Sequence, residues 1–425
     1  MPKPPLQLTT LLGKAVKEVA KIRGGGSALP GLFVETIDKD FISTCLSRLP
    51  KGVVLISGTN GKTTTTKMVV ELLESQGLKV FTNRTGSNFT RGVAAALLGD
   101  IDMNGKLHAD IAVLELDEAH AVHFVRSVKP RYSLLLNVMR DQLDRFGEID
   151  ATARMLRTIA EETSDKIVIN REDPRLLAVS RELPNDKVLY FGLDEALRSK
   201  FPSDDDMRGA SSQTARPPKA LAVLEEAIDH TAVFSLDSKK HTATVKLEGI
   251  YNIFNSVAAV CLVKAILGDQ ADTARLVSTL ESITPAFGRG EKLTVGGQPL
   301  ELVLVKNPGG FRLGLSSFNP DGYATMIAIN DNYADGRDMS WLWDVDFESL
   351  TPGISHVSGV RAYDMALRLQ YDEVEVKTVE TNLAKALQDF IKSNESQPKR
   401  IYCSYTAMLA LRRQLAKITN VEVVS

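Results

Sequence analysis

The sequence predicts an α/β protein made of a large parallel-sheet domain with a phosphate-binding loop and a smaller α/β domain after it. Two observations indicate this. From Gly52 onward, short β-branched runs alternate with segments of helical period, which is typical of right-handed βαβ units around a parallel sheet. A glycine-rich loop also stands between the first such run and a helix. With 425 residues, 44% of them hydrophobic, the chain is long enough for two or three domains.

Residues 1–40 are predicted to form an N-terminal helix and a glycine-rich linker. Residues 7–23 have helical period, and Gly24-Gly25-Gly26 ends the helix. One face of this helix is apolar and carries Leu8, Leu12, Ala15, Val19 and Ile22. Two interpretations remain open: the helix docks on the domain that follows, or it rests near an anionic membrane surface.

The central domain is predicted to span residues 41–291. Its strands are expected at 53–56, 79–82, 111–116, 132–137 and 166–170. Because these runs are almost continuously apolar, we expect the sheet to be covered on both faces. Residues 201–218 contain three consecutive aspartates and paired serines and prolines, which predicts a flexible surface insertion.

The C-terminal domain is predicted to span residues 292–425. A second set of alternating elements begins there, with strands expected at 301–305, 324–329, 353–358, 373–376 and 400–404.

Composition excludes several classes of protein. The net charge of −2 comes from dispersed charges, which argues against nucleic-acid binding through bulk electrostatics. Cys45, Cys261 and Cys403 are far apart, so neither a disulfide framework nor a cysteine zinc site is expected; Cys403 is predicted to be a buried strand thiol. We found no signal peptide and no apolar run near the roughly 18 residues needed to cross a bilayer. We therefore expect a cytoplasmic protein, with the inner face of the membrane as a place of peripheral contact.

The loop after the first strand predicts a phosphate site. In this loop glycines let the backbone wrap around phosphate, Lys62 would reach the terminal phosphates, and the Thr63 hydroxyl would ligate magnesium. The cofactor-binding positions are Gly58, Thr59, Asn60, Gly61, Lys62, Thr63 and Thr64. Ile56 stands where the usual motif has its first glycine, so the loop is a shortened variant. The alternative is a glycine turn followed by Lys-Thr by accident.

Gly-Thr-Asn-Gly-Lys-Thr at residues 58–63 resembles the Mur ligase family, ATP-dependent amide-forming enzymes of peptidoglycan and folylpolyglutamate synthesis. Further segments match in the same order. They are Glu115-Leu116-Asp117-Glu118, Asn137 with Asp141 to Gly147, Asn170 with Asp173, Gly249 to Asn255, and Gly288-Arg289-Gly290-Glu291. The resemblance covers the whole central domain.

The resemblance implies ATP and magnesium as cofactors. It gives Lys62 and Glu115 catalytic roles, with Glu115 also a magnesium ligand beside Thr63. Gln142 stands where the family has a metal-binding histidine, and its amide oxygen could still contact magnesium. Nucleotide contacts would come from Asn170, Asp173, Asn252, Asn255 and Arg289. For Glu115, a structural salt bridge at a strand end is the alternative.

The C-terminal half resembles the MurT branch of this family through Val305 to Gly310 and Asn330 to Trp341. That branch implies amidation of the D-glutamate α-carboxylate of lipid II to D-isoglutamine through an acyl phosphate. A GatD-like glutamine amidotransferase subunit would supply the ammonia. Unlike many relatives, the chain lacks room for an N-terminal nucleotide-sugar domain, and the expected position of the cysteine zinc ribbon contains no cysteine.

The same resemblance gives Asp338 the role of orienting the partner's catalytic histidine, with Asp335 as the fallback. The alternative is that the Asp-Gly-Arg-Asp segment only forms a turn. Trp341 and Trp343 follow it and are either partner anchors or core residues.

Two other functions stay open at this point. The chain could join a whole amino acid, as other Mur and folylpolyglutamate ligases do. It could also be a non-catalytic scaffold subunit, although the intact loop and Glu115 argue against this.

Overall fold

The structure is a computed structural model that describes residues 5–22, 29–83, 89–140, 149–201, 217–247, 249–284, 289–318 and 320–421. It contains two compact units. The first comprises Met1–Val138, Asp150–Lys246 and Asn252–Ile283, and the second comprises Met139–Ile149, Leu247–Tyr251 and Thr284–Ser425. The second unit thus includes two short segments from within the predicted central domain. The glycines of the predicted linker and most of the predicted 201–218 insertion lie outside the described residues.

The first unit alternates helices and strands, as the sequence predicts. Its elements are α1 (Leu6–Ile22), α2 (Leu29–Ile37), α3 (Phe41–Leu46), β1 (Val53–Ser57), α4 (Lys62–Ser75), β2 (Val80–Thr82), α5 (Thr90–Asp100), β3 (Ile111–Glu115), α6 (Glu118–Ser127), β4 (Tyr132–Leu135), α7 (Ile149–Glu162), β5 (Lys166–Asn170), α8 (Pro174–Ser180), β6 (Val188–Leu193), β7 (Ala222–Ile228), β8 (Thr231–Leu236), β9 (Lys239–Thr244), α9 (Ile250–Leu267) and α10 (Thr273–Leu280). A short 3-10 helix covers Glu195–Lys200.

These strands form one sheet in the order β2-β3-β1-β4-β5-β6-β7-β8-β9. The seven strands β1 to β7 pair with their neighbours in parallel. Strands β8 and β9 extend the sheet beyond β7 in antiparallel pairs. All five residues of β1 are buried between β3 and β4, because the sheet is covered on both faces there. The carboxyl ends of β1, β3 and β4 therefore meet at one edge, where α/β sheets place their ligands.

The N-terminal helix forms close to its predicted bounds but packs through an unexpected face. Thr9, Thr10, Gly13 and Ala20 are buried, whereas the leucines and valine of the apolar face are exposed. A Cβ on Gly13 would lie 2.6 Å from side-chain atoms of both Leu98 and Val34. Such close approach explains why small residues, rather than the leucines, face the domain.

Helix α9 corrects the expectation that no apolar run is long enough to cross a bilayer. Over Ile250–Gln270, this helix and the 3-10 turn that follows it are long enough and apolar enough to cross a bilayer. However, 61% of the most apolar stretch of this helix is buried inside the protein, as is usual for a helix of a protein core.

The second unit is a smaller α/β structure. Its elements are β10 (Arg289–Val295), β11 (Gln298–Leu304), α11 (Pro308–Ser317), β12 (Ala324–Ala328), β13 (Gly353–Ser358), α12 (Ala362–Tyr371), β14 (Glu375–Glu380), α13 (Leu383–Ser393), β15 (Lys399–Cys403) and α14 (Tyr405–Leu415). The sheet order is β10-β11-β15-β12-β13-β14, with β10 and β11 antiparallel and the other pairs parallel.

The core of this unit separates the two tryptophans. Trp341 is buried in a cluster with Phe311, Phe347 and Tyr402, whereas the side chain of Trp343 is about half exposed. Trp341 is therefore a core residue. Cys403 is fully buried in β15 as a free thiol, which confirms that prediction.

Candidate active site

The loop after β1 adopts backbone conformations that favour glycine. The φ angle is +132° at Gly58 and +87° at Gly61, values that L side chains rarely adopt. A Cβ on Gly58 would lie 3.0 Å from the Asn137 backbone nitrogen, and one on Gly61 would lie 2.8 Å from Nδ2 of Asn255. Neither glycine can be replaced without displacing the loop or a neighbour.

Asn137, just beyond β4, holds this loop in shape. Its side-chain Oδ1 accepts a hydrogen bond from the Asn60 backbone nitrogen at 2.8 Å, and its Nδ2 donates to the Asn60 carbonyl at 3.0 Å. The Asn137 carbonyl also accepts from the Thr59 backbone nitrogen at 3.0 Å. Asn137 was identified from the sequence only as part of a family match. The structure gives it this physical task.

Helix α4 begins at Lys62, directly after the loop. Its first intrahelical bond runs from the Thr65 backbone nitrogen to the Gly61 carbonyl at 2.9 Å. The N–H groups of the first turn point out of the helix end, where the helix dipole is positive, and such ends bind phosphate. The structure therefore brings the predicted positions Gly58, Thr59, Asn60, Gly61, Lys62, Thr63 and Thr64 together at the N-terminal end of α4.

The Lys62 side chain is buried, and its ammonium group contacts oxygen atoms of three residues. Its Nζ donates to the Gly58 carbonyl at 2.6 Å and to the Thr59 carbonyl at 3.2 Å, and it lies 3.4 Å from Oε2 of Glu118. The Glu118 side chain is only 3% exposed. The sequence placed Glu118 in a matching segment but did not predict its contact with Lys62, because that contact depends on β3 pairing beside β1.

Thr63 and Glu115 also meet at this edge. The Thr63 hydroxyl donates to Oε1 of Glu115 at 2.8 Å. Asn83 fixes Glu115 through its backbone: Nδ2 of Asn83 donates to the Glu115 carbonyl at 2.8 Å, and the Glu115 N–H donates to Oδ1 of Asn83 at 3.0 Å. A hydroxyl and a carboxylate beside a phosphate site are oxygen ligands suited to Mg²⁺. The residues thus fit the predicted ion, while Gln142 lies outside the described residues.

The predicted nucleotide contacts fall into two groups. Asn255, on α9, lies against Gly61, and half-buried Asn252 precedes it by one helical turn. In contrast, Asn170 makes internal hydrogen bonds: its Nδ2 donates to the Leu136 carbonyl at 2.9 Å, and its Oδ1 accepts from the Glu172 N–H at 3.0 Å. Arg289 begins β10, and its side chain lies outside the described residues.

Asp173 caps α8 and ties it to the segment after β4. Its Oδ1 accepts from the N–H groups of Arg175 and Leu176, both at 3.0 Å, and its Oδ2 accepts from the Val138 N–H at 2.6 Å. The structure therefore gives this predicted nucleotide contact a structural role, in which Asp173 joins the start of α8 to Val138.

Asp173 makes the stability of the fold depend on pH. Burial raises the pKa of its carboxyl from 3.8 to about 6, although three backbone N–H groups oppose that shift. Between these pH values the folded state keeps a proton that the unfolded state releases, so stability falls as pH rises through about 4 to 6, by about 3 kcal/mol in total. We expect Asp173→Asn to remove this dependence, as measured by urea unfolding across that window.

A matched control is Asp186→Asn, because Asp186 is exposed and is not among the groups that shift the pKa of Asp173. This variant should keep the wild-type pH dependence. An unchanged pH slope in Asp173→Asn would show that Asp173 does not titrate as expected.

In the second unit, Asp338 lies half-buried just before the 3-10 helix Ser340–Asp344. Its Oδ1 accepts from the Ser340 N–H at 2.9 Å, so the turn considered in the sequence analysis does form. Hydrogen bonds from the Ser340 hydroxyl and N–H hold the pKa of Asp338 below its ordinary value. Asp338 therefore stays ionised at neutral pH, as a histidine-orienting carboxylate must.

Asp335 is buried and has a different set of partners. Its Oδ1 accepts from the Thr406 N–H at 2.7 Å, and its Oδ2 accepts from the Thr406 hydroxyl and from the Asn332 N–H. Both oxygens are engaged in fastening the loop to the start of α14. This makes Asp335 a weaker candidate than Asp338 for a role toward a partner.

Solved structures share this architecture. A pseudomurein peptide ligase type C from Methanothermus fervidus superposes with a TM-score of 0.67 at 16% identity, covering 89% of this chain and 80% of that one. Folylpolyglutamate synthase from Mycobacterium tuberculosis, complexed with ADP, gives a TM-score of 0.63 at 14% identity over 89% and 92% of the chains. At such identities the likeness shows the Mur ligase fold.

Sequence comparisons narrow the relationship. The family model described as Mur ligase middle domain matches residues 56–263, and that described as MurT ligase C-terminal matches residues 304–408. The MurT subunit of lipid II isoglutaminyl synthase (glutamine-hydrolyzing) from Streptococcus pneumoniae is 30% identical over 96% of both chains. The corresponding subunit from Staphylococcus aureus is 29% identical over 90% of both. The chain therefore belongs to the MurT family of Mur ligases.

Proposed function

We propose that this chain is the synthase subunit of a lipid II-amidating enzyme that works in the cytoplasm, at the inner face of the membrane. It would use ATP to convert the D-glutamate α-carboxylate of lipid II into the amide of D-isoglutamine. The observation that carries the proposal is the cluster of Lys62, Thr63 and Glu115 at the phosphate loop, in a chain whose C-terminal region matches the MurT model. The relatives at 29–30% identity are named as MurT subunits of a glutamine-hydrolysing lipid II isoglutaminyl synthase.

The geometry supports activation of a carboxylate. The helix end at Lys62 would hold the phosphates of ATP, and the Lys62 ammonium would offset charge that develops on the transferred phosphoryl group. Thr63 and Glu115 would hold a magnesium ion, which would supply further neutralisation of phosphate charge. The substrate carboxylate oxygen would attack the γ-phosphorus, and ADP would leave. Ammonia would then attack the acyl phosphate and release inorganic phosphate.

Ammonia would come from a GatD-like glutaminase subunit. Asp338, ionised and half-buried in the second unit, would accept a hydrogen bond from the partner's catalytic histidine and so orient it. Because the relatives are named as subunits, a heterodimer is the assembly that we propose.

A second candidate is addition of a whole amino acid. The fold is shared with ligases of that kind, such as the folylpolyglutamate synthase noted above. The match of the C-terminal region to the MurT model favours ammonia as the acceptor instead.

One assay separates these functions. Lipid II and ATP are incubated with the full chain and either ammonium, glutamine plus the co-purified partner, or a mixture of amino acids, and the product is analysed by mass spectrometry. We expect the mass change from carboxylic acid to amide with ammonium, and with glutamine only when the partner is present. Addition of an amino-acid mass would support the second candidate, and the absence of ATP turnover in every arm would indicate a scaffold.

A further inference from the structure

Helix α1 presents its apolar face to solvent. Leu8, Leu11, Leu12 and Val19 are each between 41% and 51% exposed, although the helix itself is packed on the first unit. Its opposite face, with Thr9, Thr10, Gly13 and Ala20, is the buried one. A helix that only completed the core would have the reverse arrangement.

This exposure is not a sign of a detached helix. Nζ of Lys14 donates to the Ile101 carbonyl at 2.7 Å, and Nζ of Lys17 donates to the Ala95 carbonyl at 3.5 Å, so two side chains fasten the helix to the first unit. A Cβ on Gly105 would meet Leu6 at 2.6 Å, which shows close packing at its first turn. The leucines are therefore held outward by a docked helix.

Helix α2, which packs beside α1, also exposes apolar side chains. Leu29 is 52% exposed and Leu32 is 38% exposed. We define the aliphatic patch as Leu8, Leu11, Leu12, Val19, Leu29 and Leu32. Large exposed apolar patches mark interaction surfaces in soluble proteins. The cores of protein–protein interfaces are enriched in aromatic residues, methionine and arginine, and this patch has none of them.

The sequence segment that contains α1 has a net charge opposite in sign to that of the whole chain. Residues 1–23 contain Lys3, Lys14, Lys17, Lys21 and Arg23 but only one acidic residue, Glu18. This gives a formal charge of 5 − 1 = +4, whereas the complete chain carries −2. Lys14 and Lys17 lie on the docked side of the helix, where they donate to the Ile101 and Ala95 carbonyls. A helix with an exposed aliphatic face in a basic segment of sequence is typical of helices that lie in the interface of an anionic bilayer.

We propose that the aliphatic patch is a membrane-binding surface that seats this chain on an anionic lipid bilayer. The inference deepens the proposed function, on which it rests for its biological purpose, because a lipid-borne substrate stays in the bilayer while its headgroup is modified. The patch belongs to the same unit as the phosphate loop, so its attachment would bring the site of carboxylate activation to the membrane surface.

Vesicle flotation tests the proposal. The full chain, alone and with its glutaminase partner, is mixed with vesicles of phosphatidylcholine alone or of phosphatidylcholine with about one third phosphatidylglycerol. We expect wild-type protein to float with the anionic vesicles, and less of it as salt is raised. The triple variant Leu8→Gln/Leu11→Gln/Leu12→Gln should bind on the order of tenfold more weakly, because apolar contact is lost while glutamine preserves the helix.

The matched control is Ile228→Gln/Leu367→Gln/Ile418→Gln, which changes three aliphatic residues that are also exposed. This variant should float like the wild type. Equal flotation of the α1 triple variant, or no flotation of the wild type, would overturn the proposal. So would a triple variant that floats normally but no longer co-purifies with the partner or with a second copy of the chain. Nucleotide binding, measured in parallel, separates this outcome from failure of the proposed function.

Discussion

Replacing Lys62 by methionine should reduce phosphoryl transfer by about 10³-fold or more, because the charge that faces the transferred phosphoryl group is lost. The same change should also destabilise the fold. Glu118 would stay buried without the Lys62 ammonium, which lies 3.4 Å from its Oε2, and removing one partner of a buried ion pair typically costs about 3–5 kcal/mol.

A second variant separates the two effects. In Lys62→Met/Glu118→Gln neither buried side chain is charged, so most of the lost stability should return while ATP turnover stays absent. Urea unfolding and single-turnover ATP assays measure the two quantities independently. If turnover returned with stability, Lys62 would have only a structural role.

The control lies on the same helix. Lys67 and Glu71 form a partly exposed pair on α4 at 3.6 Å. Lys67→Met should change stability by only about 0.5 kcal/mol and should leave turnover unchanged.

Replacing Asp338 by asparagine should separate the two ammonia sources. With glutamine and the partner, amidation should fall by about 10³-fold or more, because an amide cannot hold a histidine in the required tautomer as a carboxylate does. With ammonium, the rate should stay at the wild-type level, since that route does not need glutamine hydrolysis. Product formation from each source, measured by mass spectrometry, gives the ratio directly.

Asp335→Asn provides the comparison for that experiment. Asp335 fastens its loop to Thr406 through a buried carboxylate, so its loss should lower stability by about 1–2 kcal/mol. Any change in rate should then be equal for both ammonia sources. Equal losses in Asp338→Asn would instead show that Asp338 also acts structurally.

Local patterns predicted the part of the fold that surrounds the phosphate loop. The apolar run of β1, the glycines after it and the helical period of α4 are adjacent in the chain, and the structure shows all three in place. Strands β7 to β9 were not predicted, because the prediction relied on nearly continuous apolar runs, whereas buried residues alternate with more exposed ones along β7 and β8.

The contacts at the site that the sequence did not predict join residues that are distant in the chain. Glu118 approaches Lys62 across 56 residues, and Asn137 reaches the Asn60 backbone across 77. Hydrophobic periodicity also predicted the apolar stripe of α1 but not its direction, because close packing at Gly13 decides which face is buried. Pattern analysis identifies a stripe, and only tertiary packing tells whether it faces inward.

The hydrogen bonds that Asn137 makes with Thr59 and Asn60 also affect how a nucleotide would bind. They fix the loop from the neighbouring strand end before any phosphate arrives, so the loss of loop entropy occurs during folding and not on association. The nucleotide would then bind to a loop that already has its bound conformation. Association of the nucleotide should accordingly need little rearrangement of the loop, and its rate should depend mainly on access to the edge of the sheet.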